Sequence, residues 1–241
     1  MSGHSHWSNI KRKKGALDAK RAKIFAKLTR AVQVAAKSGG ADPAGNLTLK
    51  MAIEKAKEFD VPKDNIERAI ERGAGSEKDA QQLETASYEA FGPEKAALII
   101  ETITDNKNRT LGELRQIIEQ HGGKLASPGS VQWLFELKGV IYAEPIAATS
   151  TKEAVELAVI DSGAENFSWQ QQQVRIISAP EQLEQVKHSL TAQKLNIVSA
   201  APEWVAKEEL VLQQPQRLEK LLAALDENEA VQDIFTNCQP W

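Results

Sequence analysis

From Asp18 to Lys37 the chain runs without Gly or Pro. Leu17, Ile24, Phe25, Leu28, Ala31, Val32 and Ala35 return on one side at about 100° per residue, which predicts an amphipathic helix. It ends at Ser38-Gly39-Gly40, where glycine supplies the left-handed exit that helices favour. Asp42-Pro43 sets a capping side chain before a proline at the first helical position. A second helix carrying Leu49, Ala52, Ile53 and Ala56 is expected to follow. A third begins near Pro62, carries Ile66, Ala69 and Ile70, and stops at Gly73. Three short amphipathic helices with brief connections predict a small bundle over residues 1–75.

Residues 74–82 are polar and read as a linker, and beyond them the apolar period changes. Tyr88–Phe91 and Ala96–Ile103 read as strands around the Gly92-Pro93 turn. Thr110 with Glu113 forms a capping box, opening a helix through Leu111, Leu114, Ile117 and Ile118 that closes at Gly122-Gly123. Trp133–Leu137 and Val140–Ala143 flank Lys138-Gly139 as a hairpin. A helix near Lys152–Ser162, strands around Asn166–Gln170 and Gln173–Ile177, a helix from Pro180 and a strand Leu195–Ser199 complete one α/β sandwich. The tail adds a strand Glu209–Leu212, a helix from Pro215 and a strand near Val231–Phe235. Residues 83–130 have too few elements for a sandwich, and 205–241 supply the missing ones. The layout expected is therefore α+β and multidomain: 83–130 and 205–241 form a discontinuous domain, with 133–204 inserted into it.

Composition narrows the chemistry. One cysteine among 241 residues, Cys238, excludes an internal disulfide framework and a Cys-rich zinc module. No apolar run approaches the ~18 residues that span a bilayer, Ala96–Ile100 being the longest obvious stretch. The N-terminus lacks a hydrophobic core region, so no secretory signal is expected. Its basic character resembles a transit peptide, but an Arg/Ser bias is missing.

Charge is unevenly spread. Residues 1–37 hold ten Lys/Arg and one acid, a net of +9, against −2 over residues 38–80 and −10 over residues 81–241. On the first helix Lys20, Lys23, Lys27, Arg30 and Lys37 fall within an arc of about 100°, opposite the apolar side. Lys11-Arg12-Lys13-Lys14 stands just upstream. Cations in a row repel unless neutralised, and nucleic-acid phosphates neutralise them while releasing condensed counterions. Anionic lipid would suit the same charges, but the apolar side is needed against helices two and three. A solvated helix face on a protein-interaction scaffold is the contrasting expectation.

Other constellations are weaker. His4-Ser5-His6-Trp7 begins like a metal site, yet zinc needs three or four ligands, and Cys238, His121 and His188 show no ligand spacing. Trp7 is suited to stacking on a base or to docking on its own domain. In Thr104–Thr110, Asp105 and Thr110 suit turn and cap chemistry, while Arg109 is open to a partner. Gly73-Ala74-Gly75 lacks the ending of a phosphate loop. No nucleophile elbow, Cys–His pair or His-Glu-x-x-His motif occurs, so no catalytic residue, cofactor or metal is expected.

Gly3-His4-Ser5-His6-Trp7-Ser8-Asn9-Ile10-Lys11, Asp18–Phe25, Gly39–Pro43 with Asn46, and Val61–Ile70 resemble the YebC/PmpR family in order. Tyr88–Pro93, Thr104–Thr110, His121-Gly122-Gly123 and Trp133–Glu136 continue the likeness, while Leu47-Thr48-Leu49-Lys50 and Glu94-Lys95 depart from it. The resemblance implies an N-terminal helical domain and two ferredoxin-like sandwiches, one inserted in the other. It implies a cytoplasmic, non-enzymatic regulator. Members are described as DNA-binding transcriptional regulators, others as translation activators acting on the ribosome where proline runs slow synthesis. The candidate nucleic-acid-binding residues are His6, Trp7, Lys11, Arg12, Lys13, Lys14, Lys20, Arg21, Lys23, Lys27, Arg30 and Arg109.

Overall fold

The computed structural model describes residues 18–75, 83–145, 151–170 and 172–239, with side chains from Arg21 onward. Three helices come first: α1 (Asp18–Gly39), α2 (Leu47–Glu58) and α3 (Lys63–Ala74). Leu28, Val32, Ala35 and Ala36 of α1 pack on Leu49 and Ala56 of α2 and on Ile66 and Ala69 of α3. Gly73 lets α3 lie against α1, since a Cβ there would stand 2.2 Å from the Gln33 carbonyl.

The cap of α2 differs from the expectation. Asn46, not Asp42, precedes the first turn, and its Oδ1 accepts from the Leu49 N–H at 3.0 Å. Its Nδ2 donates to the carbonyls of Ala35 and Gly40, both at 2.8 Å, and so joins the end of α1 to the start of α2. Only a side chain with both donor and acceptor can do this. Asp42 caps its own turn, accepting from the Ala44 N–H at 2.9 Å.

Two four-stranded antiparallel sheets follow. The first is ordered β3-β1-β2-β8, from β1 (Glu84–Phe91), β2 (Ala97–Thr104), β3 (Lys124–Leu125) and β8 (Val231–Thr236). The second is ordered β5-β6-β4-β7, from β4 (Phe135–Pro145), β5 (Asn166–Gln170), β6 (Gln173–Ser178) and β7 (Leu195–Ala206). Helices α4 (Lys107–Gln120) and α7 (Pro215–Asp226) pack on the first sheet. There Leu114, Ile118, Leu218, Leu221 and Leu225 meet Ala90, Leu98 and Ile100. Helices α5 (Lys152–Asp161) and α6 (Leu183–Ala192) pack on the second, over Ile141, Ala143, Val174 and Ile176. The second sandwich has the ferredoxin-like βαββαβ order and is inserted between β3 and α7 of the first. The fold is α+β, an N-terminal helical domain followed by two α/β sandwiches.

β2 is buried on both faces. Leu98 and Ile100 face the helices, whereas Ala97 and Ile99, with Phe235, press on Val131, Phe135 and Ala206 at the junction with the second sandwich.

Three local expectations change. Lys138-Gly139 is no turn: β4 runs straight through it. Gly139 is there for close approach, because a Cβ would stand 2.5 Å from Ser178 Oγ and 3.1 Å from Leu183. Thr110 caps nothing: α4 starts at Lys107 with Asn106 as cap, and buried Thr110 Oγ1 bonds Thr104 Oγ1 at 2.8 Å. Glu209–Leu212 forms only a bridge between Leu210 and Cys238.

Candidate nucleic-acid interface

The amphipathic design of α1 fixes the geometry of its cations. Its apolar side is committed to α2 and α3, so Lys23, Lys27 and Arg30 point the other way. They meet the turn that follows α7. Lys27 Nζ lies 2.8 Å from Asp226 Oδ1 and donates to the Asp226 backbone carbonyl at 2.7 Å. Arg30 bonds the Glu229 carboxylate at 2.9 Å and the Glu229 carbonyl at 2.6 Å. Lys23 pairs with Glu227, whose hydrogen bond and charge hold the ammonium above its ordinary pKa. Lys27 also neutralises the negative end of the α7 dipole. It is only 5% exposed. Arg21, beside this row, is exposed, and Lys37 reaches the Leu83 carbonyl at 3.5 Å.

More polar struts tie the helical domain to both sandwiches. Lys55 of α2 faces Asp233 of β8 at 3.5 Å. Glu54 accepts from Lys187 of α6 at 2.9 Å. Burial lowers the Lys187 pKa, but the Glu54 bond and charge outweigh it and leave a net rise. Met51 adds an apolar touch to the second sandwich.

The structure thus gives part of the expected cationic row an internal partner. Lys23, Lys27 and Arg30 each face a carboxylate, and of the three only Lys27 is buried. Asp226, Glu227 and Glu229, which the helical phase of α1 does not reveal, complete this face. Three acids in four residues directly after a predicted helix were the available signal. His6, Trp7, Lys11, Arg12, Lys13, Lys14 and the side chain of Lys20 lie outside the described residues. Arg109 is not gathered into this face. It pairs with Asp105 and lies 3.7 Å from Glu113, while Lys107 pairs with Glu84 at 2.7 Å.

Two acids are structural, Glu89 buried and Glu101 half-buried. Glu89 accepts from the backbone N–H groups of Gly129, Val131 and Gln132, which outweigh the upward push of burial and lower its pKa. Burial, helped by neighbouring Asp233, raises the pKa of Glu101, while the Trp204 hydrogen bond opposes the rise. Burial also raises the pKa of Cys238, so its thiol is no activated nucleophile. Among the described residues no three His, Cys, Asp or Glu stand close enough to share a metal, and no helix is long and apolar enough to cross a membrane.

Residues 5–76 match the description "TACO1/YebC protein N-terminal domain", and residues 83–238 match "TACO1/YebC second and third domain". A "Probable transcriptional regulatory protein" of Desulforamulus reducens is 41% identical over 239 residues, covering 98% of each chain. A protein of the same description from Rhodococcus opacus is 44% identical over 239 residues, covering 98% of this chain and 95% of its own. The crystal structure of the conserved hypothetical protein Aq1575 from Aquifex aeolicus matches with a TM-score of 0.87 at 38% identity, over 98% of both chains. With the helical domain and both sandwiches matched over nearly their whole length, the chain belongs to the TACO1/YebC family.

Proposed function

We propose that the protein is a non-enzymatic, nucleic-acid-binding regulator of gene expression that works in the cytoplasm through its basic N-terminal end. The observation that carries this reading is the net +9 of residues 1–37 on a chain whose overall net is −3, three of the ten cations being matched by Asp226, Glu227 and Glu229. Such a distribution directs one end of a protein toward a polyanion and keeps the remainder away from it. The names of relatives as transcriptional regulatory proteins point to the same partner class.

The charges lie on the arm and the first helix, not on the second helix of a helix-turn-helix, which favours phosphate contact over base reading. The acidic body is repelled by long duplex DNA. A factor that inserts its basic end into ribosomal or transfer RNA, and relieves slow synthesis at proline runs, suits this distribution better than a promoter reader. The DNA-binding transcriptional regulator is the second reading, favoured by the relatives' names.

Salt titration tests the shared core of both. Log K for RNA or DNA should fall linearly with log salt, by about 0.9 per duplex phosphate neutralised. Co-sedimentation with ribosomes separates them. Changing Lys11, Arg12, Lys13 and Lys14 to Gln should release the protein from the ribosomal fraction. Absence of the unchanged protein from that fraction, with promoter-selective DNA binding, would leave the transcriptional reading standing.

A further inference from the structure

The junction between α1 and the turn after α7 is built unlike a permanent contact. Lys23, Lys27 and Arg30 stand at i, i+4 and i+7, so they form a row rising about 10 Å along the axis. Each cation meets a carboxylate, and two of the three also meet a backbone carbonyl. Except at Lys27 the pairs are open to water: the Lys23 and Glu227 side chains are 48% and 58% exposed, and Glu229 is 72% exposed. The helical domain's own apolar core closes without any residue from the sandwiches. Polar junctions of this kind permit domains to move against one another.

We propose that the 226–229 turn is an internal stand-in for a sugar-phosphate chain. Asp226, Glu227 and Glu229 occupy the cation row of α1, and a nucleic acid must displace them to reach Lys23, Lys27 and Arg30. The free protein is therefore self-masked. The basic arm makes the first contact, and the row becomes available when the helical domain swings off the end of α7. Masking removes three cations from non-specific encounters, since each phosphate neutralised adds to salt-sensitive, sequence-independent affinity. This rests on the nucleic-acid reading above and adds the control of that site.

Carbodiimide cross-linking of the full chain reads the contact directly, because it joins an amine to a carboxylate only where they touch. The Lys23–Glu227 link should form in the free protein at low salt. It should disappear when a short single-stranded RNA is bound, as scored by mobility shift in the same sample. A link that persists at full yield on the RNA-bound protein overturns the masking and leaves nucleic-acid binding intact. Failure to bind RNA or DNA at any ionic strength overturns both.

A charge-matched pair of variants supplies the second arm. Asp226→Asn with Glu227→Gln and Glu229→Gln should bind RNA about tenfold more tightly and steepen the salt slope by up to about three phosphates. Glu153→Gln with Asp161→Asn and Glu181→Gln removes the same charge from exposed positions on the second sandwich and should change neither. Equal effects from the two triples would reduce the turn to bulk charge and overturn the proposal.

Discussion

Where the two sandwiches meet, Ala97, Ile99 and Phe235 press on Val131, Phe135 and Ala206. Where the helical domain meets them, Lys23, Lys27, Arg30 and Lys55 press on Asp226, Glu227, Glu229 and Asp233. The first junction is held by removal of apolar surface from water, which ionic strength barely touches. The second is held mainly by charge, with Met51 as an apolar touch, and salt screens charge over about 10 Å at moderate ionic strength. One chain thus carries a fused pair of domains and a third that is attached on conditions.

The comparison breaks most visibly at Phe135. Phe135→Ala should cost about 3–5 kcal/mol in urea unfolding, equally at low and high salt. A loss that depends on salt would place charge in that junction too. Lys27→Met keeps the stem and removes the ammonium, leaving Asp226 and the end of α7 uncompensated. The expected cost is about 1–3 kcal/mol, falling only modestly as salt rises because this pair is the one shielded from water, in the same assay.

Asn46→Ala should cost about 1–2 kcal/mol through the lost α2 cap and the freed carbonyls of Ala35 and Gly40. The change belongs to the helical domain, so amide exchange should quicken in α1 and α2 and stay unchanged in the sandwiches.

Glu101 lies where the two junctions adjoin, hydrogen-bonded by Trp204 and near Asp233 and Lys55. Its folded pKa is raised, so the folded state binds its proton more tightly than the unfolded state does. Stability from this group is full at acid pH and falls as pH climbs from the ordinary carboxylate range through the raised value. Glu101→Gln keeps an acceptor for Trp204 and should remove that fall, giving a small gain at neutral pH. Denaturation midpoints of both proteins across that range check it. Glu89 has the opposite sign: its stabilisation is present above the ordinary range and lost as pH drops.

The sequence made the helices and most strands legible because their apolar periods are strong, as in Leu28, Val32 and Ala35 or Leu218, Leu221 and Leu225. Three of the expectations that change do so for one reason. Local chemistry points to a turn at Gly139 and to caps at Asp42 and Thr110. The structure uses Gly139 to admit Ser178 and Leu183, Asn46 to tie two helices, and Thr110 to bond Thr104. Those roles depend on residues distant in space, which spacing along the chain cannot reveal. The candidate site shows the same limit. The cations of α1 were plain from their helical phase, but their acidic partners lie about two hundred positions away.

The Lys27 contact with the Asp226 carbonyl gives α7 a terminus completed by another domain. When that domain leaves, the final carbonyls turn to solvent and the closing turn of α7 loosens. Its backbone, where the Glu227 N–H holds the carbonyls of Ala223 and Leu225, then becomes a gauge of detachment, readable as deuterium uptake without any dye or added label.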